Sequence, residues 1–131
     1  MTRTEVATMI AGIDVPNAYD HFKREEAPDG PPFICFYYPN EAGFRADDVN
    51  YAQIARLVIE LYTDNIDFTL EANVEEALNA AELPFVTSRD WIDDEQMYQT
   101  TYETSVLLTE DKTTDENENT EVSPTNDEQQ G

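Results

Sequence analysis

The sequence is short of the residues on which most enzymes and nucleic-acid-binding proteins depend. Its 131 residues include one cysteine, one histidine and seven basic side chains against 29 acidic ones, for a formal net charge of −22. A surface that binds phosphates needs lysine and arginine, so this balance argues against nucleic-acid binding. Nucleophilic and acid–base catalysis draw mainly on histidine, cysteine or a serine beside a base, so we expect no enzymatic activity.

The lone cysteine and the lone histidine stand in segments of different character. Cys35 lies inside the apolar run 33–38 and has no second cysteine to pair with, so we predict a small, buried, apolar side chain there. His21 lies in a short segment with aromatic neighbours, and we predict a partly buried strand residue with a satisfied ring nitrogen. No sequence pattern brings the two side chains together as a catalytic pair.

Two carboxylate runs, Asp47-Asp48 and Asp93-Asp94-Glu95, are the densest in the part of the chain that we expect to fold. A calcium loop needs oxygen ligands at alternating positions around a central glycine, and neither run has that spacing. The chain has four glycines and no glycine-rich phosphate loop. We therefore interpret both runs as solvated turns and expect no metal site and no cofactor.

Charge divides the chain into a domain and a tail. Residues 1–108 carry a net charge of −15, whereas residues 109–131 carry −7 with a single apolar side chain, Val122. A segment of that composition cannot bury enough surface to offset its ordering entropy, so we predict one folded domain over 1–108 and a disordered acidic tail over 109–131. The sequence has no basic leader before an apolar run and no apolar stretch of about 20 residues, so we expect no association with a membrane and an intracellular origin.

Apolar periodicity and turn residues predict seven elements. They are a helix ending near Gly12, strands over 18–22, 33–38 and 51–63, a helix from Asp67 that Pro84 ends, and strands over 85–92 and 97–108. The segment 51–63 also fits helical spacing, but its β-branched and aromatic content favours a strand. The order α-β-β-β-α-β-β predicts an α+β domain, in which two helices pack on a mostly antiparallel mixed sheet of four to five strands.

Several segments, taken in order, resemble the small tail-terminator (tail-completion) proteins of long-tailed bacteriophages, particularly those of Gram-positive hosts. They are Ala18-Tyr19-Asp20-His21-Phe22, Pro32-Phe33-Ile34, Phe44-Arg45-Ala46-Asp47-Asp48, Tyr51, Ile59-Glu60-Leu61-Tyr62-Thr63 with Asp67, and Tyr98-Gln99-Thr100-Thr101-Tyr102-Glu103. Their order and spacing match over about residues 13–108, and the acidic tail lies outside the resemblance.

The resemblance implies a structural virion protein, assembled in the host cytoplasm and located at the head–tail junction. Such a subunit forms a homo-hexameric ring that ends polymerisation of the tail tube protein and joins the tail to the head–tail connector protein. DNA would pass through the channel of the ring without specific binding. An acidic lining would let the duplex slide past, although solubility alone explains an acidic surface equally well.

Two other functions stay open at this point. A head-completion or stopper subunit of the connector belongs to the same class of protein. A small acidic regulator that mimics nucleic acid belongs to a different class. A ring-forming protein sediments at several times its monomer mass, whereas a mimic stays small and competes with DNA for a basic partner.

Candidate interface residues come first from one loop. Phe44 and Tyr51 bracket a loop that contains Arg45, Asp47 and Asp48. Aromatic side chains on loops often anchor interfaces, so the two either reach a neighbouring subunit or fold back over the edge of the core.

The remaining candidates are isolated charges. Arg56 and Arg89, with Arg45, are among the scarce cations of the domain, and a ring could pair them with carboxylates of neighbouring subunits. Glu60 lies in an otherwise apolar strand. It is either an outward-facing strand residue or the partner of a basic residue across a subunit boundary.

Overall fold

Two helices and five strands form the part of the chain that the computed structural model describes, residues 1–39 and 53–109. In chain order the elements are α1 (Arg3–Ala11), β1 (Asn17–Tyr19), β2 (Phe33–Tyr37), β3 (Gln53–Thr63), α2 (Phe68–Ala80), β4 (Phe85–Ile92) and β5 (Met97–Leu108). A 3-10 turn lies between β1 and β2. The predicted order α-β-β-β-α-β-β and the α+β class are confirmed, while the loop 44–51 and the acidic tail from residue 110 lie outside the described residues.

Both helices begin at side-chain caps. Thr2 and Glu5 form a reciprocal capping box at α1, with the amide of Glu5 3.0 Å from the Thr2 hydroxyl and the amide of Thr2 2.9 Å from the Glu5 carboxylate. Asp67 begins α2 as predicted, because its carboxylate accepts a hydrogen bond from the amide of Leu70 at 3.0 Å. Neither helix in the described ranges is long and apolar enough to cross a membrane.

The strands form one sheet in the order β1-β2-β3-β5-β4. β1 runs parallel to β2 and every other neighbouring pair is antiparallel, so the prediction of a mostly antiparallel mixed sheet is confirmed. The long strands β3 and β5 are central and pair from Gln53 opposite Leu108 to Thr63 opposite Tyr98. The sheet therefore has two ends, which we call the Thr63 end and the Leu108 end.

Strand β1 is shorter than the sequence predicts. It ends at Tyr19, and His21 lies beyond it with 76% of its side chain exposed. Nδ1 of His21 lies 2.7 Å from the carboxylate of Asp20. The expectation of a partly buried strand histidine is therefore wrong, because the parallel pairing with β2 stops after Tyr19 and leaves the ring in solvent.

Both helices cover one face of the sheet, and no helix of residues 1–39 and 53–109 covers the other. Because side chains alternate along a strand, every second residue of β3 and β5 points to the helices. The buried core on this covered face consists mainly of Val6, Ile10, Leu70, Val74 and Leu78 from the helices and Ile34, Phe36, Leu57, Ile59, Leu61, Tyr102, Val106 and Leu108 from the strands. The opposite side of the sheet, here called the bare face, carries the intervening residues.

Candidate functional site

A hydrogen-bonded network around Glu60 occupies the middle of the bare face. The hydroxyls of Tyr37 and Tyr62 each donate to one carboxylate oxygen of Glu60, both at 2.8 Å. The side-chain amide of Gln99 donates to the Tyr62 hydroxyl at 2.8 Å, and the ring of Phe33 stacks on that of Tyr62 at 4.8 Å. Glu60 therefore faces outward from the helices, and its charge has partners on strands β2 and β3 of its own subunit.

The network keeps its hydroxyl groups protonated. Burial, followed by the hydrogen bond to Glu60, raises the pKa of Tyr37 to about 12 and also raises the pKa of Tyr62. Cys35 lies on β2 opposite Glu60 and is buried, as predicted, and burial first and the Glu60 charge second raise the pKa of its thiol. A raised thiol pKa disfavours the nucleophilic thiolate, so this cluster is suited to holding strands together rather than to nucleophilic chemistry.

A groove lies on the bare face beside the start of β4. It has a volume of about 450 Å³, and Arg56, Pro84, Val86, Glu103 and Ser105 are among the residues that line it. Arg56 donates to the carboxylate of Glu103 at 2.8 Å, across the β3–β5 pair, and 46% and 38% of these two side chains are exposed. The groove thus combines an apolar wall with a solvated ion pair.

Exposed aliphatic side chains surround this groove. Ile54 and Leu107 lie directly opposite each other on β3 and β5 and are 77% and 55% exposed, and Val86 on β4 is 69% exposed. All three lie on the bare face toward the Leu108 end. We call these three residues the aliphatic surface. Their apolar side chains are exposed to solvent on the face that the two described helices do not cover.

An ion pair between the buried Glu71 and the partly exposed Arg89 joins α2 to β4 on the covered side. Nε and Nη2 of Arg89 donate to the two carboxylate oxygens of Glu71 at 2.7 and 2.8 Å, and the hydroxyl of Thr100 lies 3.2 Å from the same carboxylate. The sequence places Glu71 on the exposed or N-terminal side of its helix, but the structure buries it. Because the guanidinium stabilises the charged form, the pKa of the Glu71 carboxyl lies below its usual range despite burial.

An aromatic surface surrounds this ion pair at the Thr63 end. The guanidinium of Arg89 lies over the ring of Phe68 at 5.5 Å, and Trp91, two residues further along β4, meets the ring of Tyr98 at 4.9 Å. Phe68 is 71% exposed and Trp91 is 46% exposed. We call Phe68, Arg89 and Trp91 the aromatic surface, and its residue types are those enriched where binding energy concentrates in protein interfaces.

The structure places three of the eight predicted interface residues. Arg56 and Glu60 on β3 and Arg89 on β4 each bind a partner within the subunit, and the three residues are divided between the two faces of the sheet. Their pairing with a neighbouring subunit stays a prediction. The other five lie outside the described residues: Phe44, Arg45, Asp47, Asp48 and Tyr51.

Phe68 and Val86, the exposed apolar residues of the two surfaces, are not identified by the sequence analysis. Phe68 directly follows the helix cap and lies off the apolar stripe of α2, which is a readable sign of an exposed aromatic residue. Val86 gives no such sign, because its exposure depends on which side of β4 the two described helices cover. The run 93–95 forms the β4–β5 turn, where the carboxylate of Asp93 lies 3.3 Å from Nε1 of Trp91.

The chain has a low-level structural similarity to a chain in a virion structure. No protein-family profile and no curated protein matches the sequence. The similar chain belongs to a structure described as the virion of a native gene transfer agent particle. The match covers 77% of this chain and 85% of that chain, with 15% sequence identity and a TM-score of 0.45, which is too low to support an assignment.

Proposed function

We propose that this chain is a structural, non-enzymatic protein of a phage virion, and that it forms the ring that ends the tail tube and joins it to the head connector. The observation that carries the proposal is the presence of two exposed apolar surfaces on opposite faces and opposite ends of one subunit. A subunit that associates with copies of itself head to tail needs two such surfaces, and a closed ring of them has no free end.

The segments that resemble tail-terminator proteins support the same function. The segment 59–63 ends β3, and the segment 98–103 begins β5, so Ile59 lies opposite Tyr102 and Thr63 opposite Tyr98. Phe33 of a third such segment pairs with Tyr62. Segments that are far apart in the sequence thus form one continuous block of the sheet, as a shared structural unit requires.

The proposal is tested by measuring assembly of the purified chain. Sedimentation velocity, alone and with the tail tube protein of the same virus, should give a species of several monomer masses, and negative-stain electron microscopy should image rings. Subunits with a net charge of −22 repel each other at low ionic strength. Raising the salt to about 0.15 M, where the Debye length is about 8 Å, should therefore favour the ring.

Two results would contradict the proposal. A chain that stays monomeric under all these conditions, including with tube protein, is not a ring-forming terminator. A chain that stays monomeric and displaces DNA from a basic protein has the properties of a nucleic-acid mimic.

A further inference from the structure

We propose that neighbouring copies of this chain associate by inserting Phe68 of one copy into the groove beside Val86 of the next. This inference rests on the proposed ring and names the contact that would build it. The Phe68 ring is 71% exposed in the first turn of α2, on a helix that its cap holds in place. The groove of about 450 Å³ offers an apolar wall from Pro84 and Val86.

Phe68 of one copy cannot reach the groove of the same copy. Val86 lies near the start of β4 on the bare face, whereas Trp91 lies near its end and points to the covered side with Arg89 and Phe68. Five residues of a strand span about 17 Å, and the sheet itself separates the two sides. A second copy can supply the missing aromatic ring. Because the two surfaces do not overlap, each copy can give one Phe68 and receive another, which is the head-to-tail arrangement that forms a ring when the rotation between neighbours closes.

Charge favours a second copy as the occupant. Two carboxylates lie beside Phe68, because Asp64 and Asp67 line the same surface pocket as that residue. The groove contains Arg56, whose guanidinium has five N–H donors and is half exposed while bound to Glu103. Insertion of Phe68 would bring Asp64 or Asp67 to Arg56. The scarce cation of one surface would then meet the carboxylates of the other.

The test uses one variant for each side of the contact in the full-length chain. Phe68→Ala removes the inserted ring, and Val86→Glu places a carboxylate in the groove against the neighbour's Asp64 and Asp67. Each should weaken the subunit contact by roughly thirtyfold or more, so that both proteins sediment as monomers where the unmodified chain forms rings. Thr69→Ala on the same helix turn and Ser88→Glu on the same strand are matched controls, and both should assemble normally.

Mixing the two defective variants gives the sharpest readout. The Phe68→Ala protein keeps an intact groove, and the Val86→Glu protein keeps an intact Phe68. In an equimolar mixture, Phe68 of the second protein can therefore insert into the groove of the first, which gives one contact per pair. It should sediment as a one-to-one dimer and form no ring. Circular dichroism and urea unfolding of each variant should match the unmodified chain, because both residues are exposed.

The outcomes separate this contact from the proposed function. Rings from either single variant would overturn the contact and leave the ring-forming function standing. Monomers from the mixture, with both variants folded and individually defective, would overturn head-to-tail insertion of Phe68 into the groove. An unmodified chain that never assembles, with or without tube protein, would overturn the proposed function and the contact together.

Discussion

Charged side chains have different partners on the two faces of the sheet. On the covered side, Glu71 is buried and meets Arg89 in a two-bond ion pair that holds α2 against β4. On the bare face, Glu60 is held by two neutral tyrosine hydroxyls, while Arg56 and Glu103 form a half-exposed pair. Charged side chains pair on both faces, but of the carboxylates of Glu60, Glu71 and Glu103 that of Glu71 alone is buried. The covered side is thus built for stability of the subunit, and the bare face keeps its cation accessible.

The two faces also differ in how far their apolar side chains are exposed. Leu57, Ile59 and Leu61 of β3 are buried under the helices, whereas Ile54 at the start of the same strand is 77% exposed. Alternation along one strand therefore places Ile54 on the face opposite the core, where Val58 of the same strand is nevertheless only 4% exposed. If this difference in exposure is correct, equal substitutions on the two faces should have unequal effects on the free energy of unfolding.

The largest difference should come from matched leucine substitutions. Leu61→Ala empties a fully buried position and should lower the free energy of unfolding by about 3 kcal/mol. Leu107→Ala removes the same atoms from a side chain that is 55% exposed on the bare face, and it should cost less than about 1 kcal/mol. Urea unfolding of the monomer measures both. Equal losses would mean that the bare face is covered in the folded chain.

Glutamine substitutions should give the next largest difference. Glu71→Gln leaves Arg89 without its buried carboxylate and should cost about 2 kcal/mol, whereas Glu60→Gln keeps an acceptor for one tyrosine and should cost about 1 kcal/mol. Because the pKa of Glu71 is lowered from 4.5 in the folded protein, its contribution is complete above that pH and is lost as the pH falls through the lowered pKa.

The unmodified chain should therefore lose stability more steeply in acid than the Glu71→Gln variant does. Urea unfolding at a series of pH values from 6 down to 3 measures the two slopes. Parallel curves would show that the ion pair with Arg89 contributes nothing to the pH dependence.

Local patterns in the sequence account for most of the fold and little of the candidate site. The Asp67 cap, the burial of Cys35 and the strands 85–92 and 97–108 follow from neighbouring residues, and the structure confirms them. The burial of Glu71 depends on Arg89, 18 positions away, and the partners of Glu60 include Tyr37, 23 positions away. Such pairs depend on strand order and register, which no local periodicity encodes. The groove also depends on strand order and register, because residues of three strands line it.

A smaller effect is expected from the tyrosines of the bare face. The pKa of Tyr37 rises from 10.0 to about 12 on folding, so the protonated hydroxyl contributes stability that is complete below pH 10 and is lost as the pH rises through about 12. Tyr37→Phe removes a hydrogen bond to a charged group and should cost about 1 kcal/mol at neutral pH. It should also make the loss of stability between pH 10 and 12 shallower. An unchanged alkaline slope would show that folding does not raise the pKa of Tyr37.

The smallest effect on the monomer should come from the most exposed aliphatic residue. Ile54→Thr replaces an apolar side chain that is 77% exposed and should change the free energy of unfolding by no more than about 0.5 kcal/mol. The matched change on the covered face, Ile59→Thr, places a hydroxyl at a position that is 1% exposed and should cost several times more. Both are measured by urea unfolding at concentrations where the chain sediments as a monomer. If Ile54→Thr costs as much as Ile59→Thr, then Ile54 is covered in the folded subunit. The aliphatic surface would then consist of Val86 and Leu107 alone, and Val86 pairs with Glu103, four residues before Leu107 on β5. On the bare face, only the groove would then be left for a neighbouring subunit to bind.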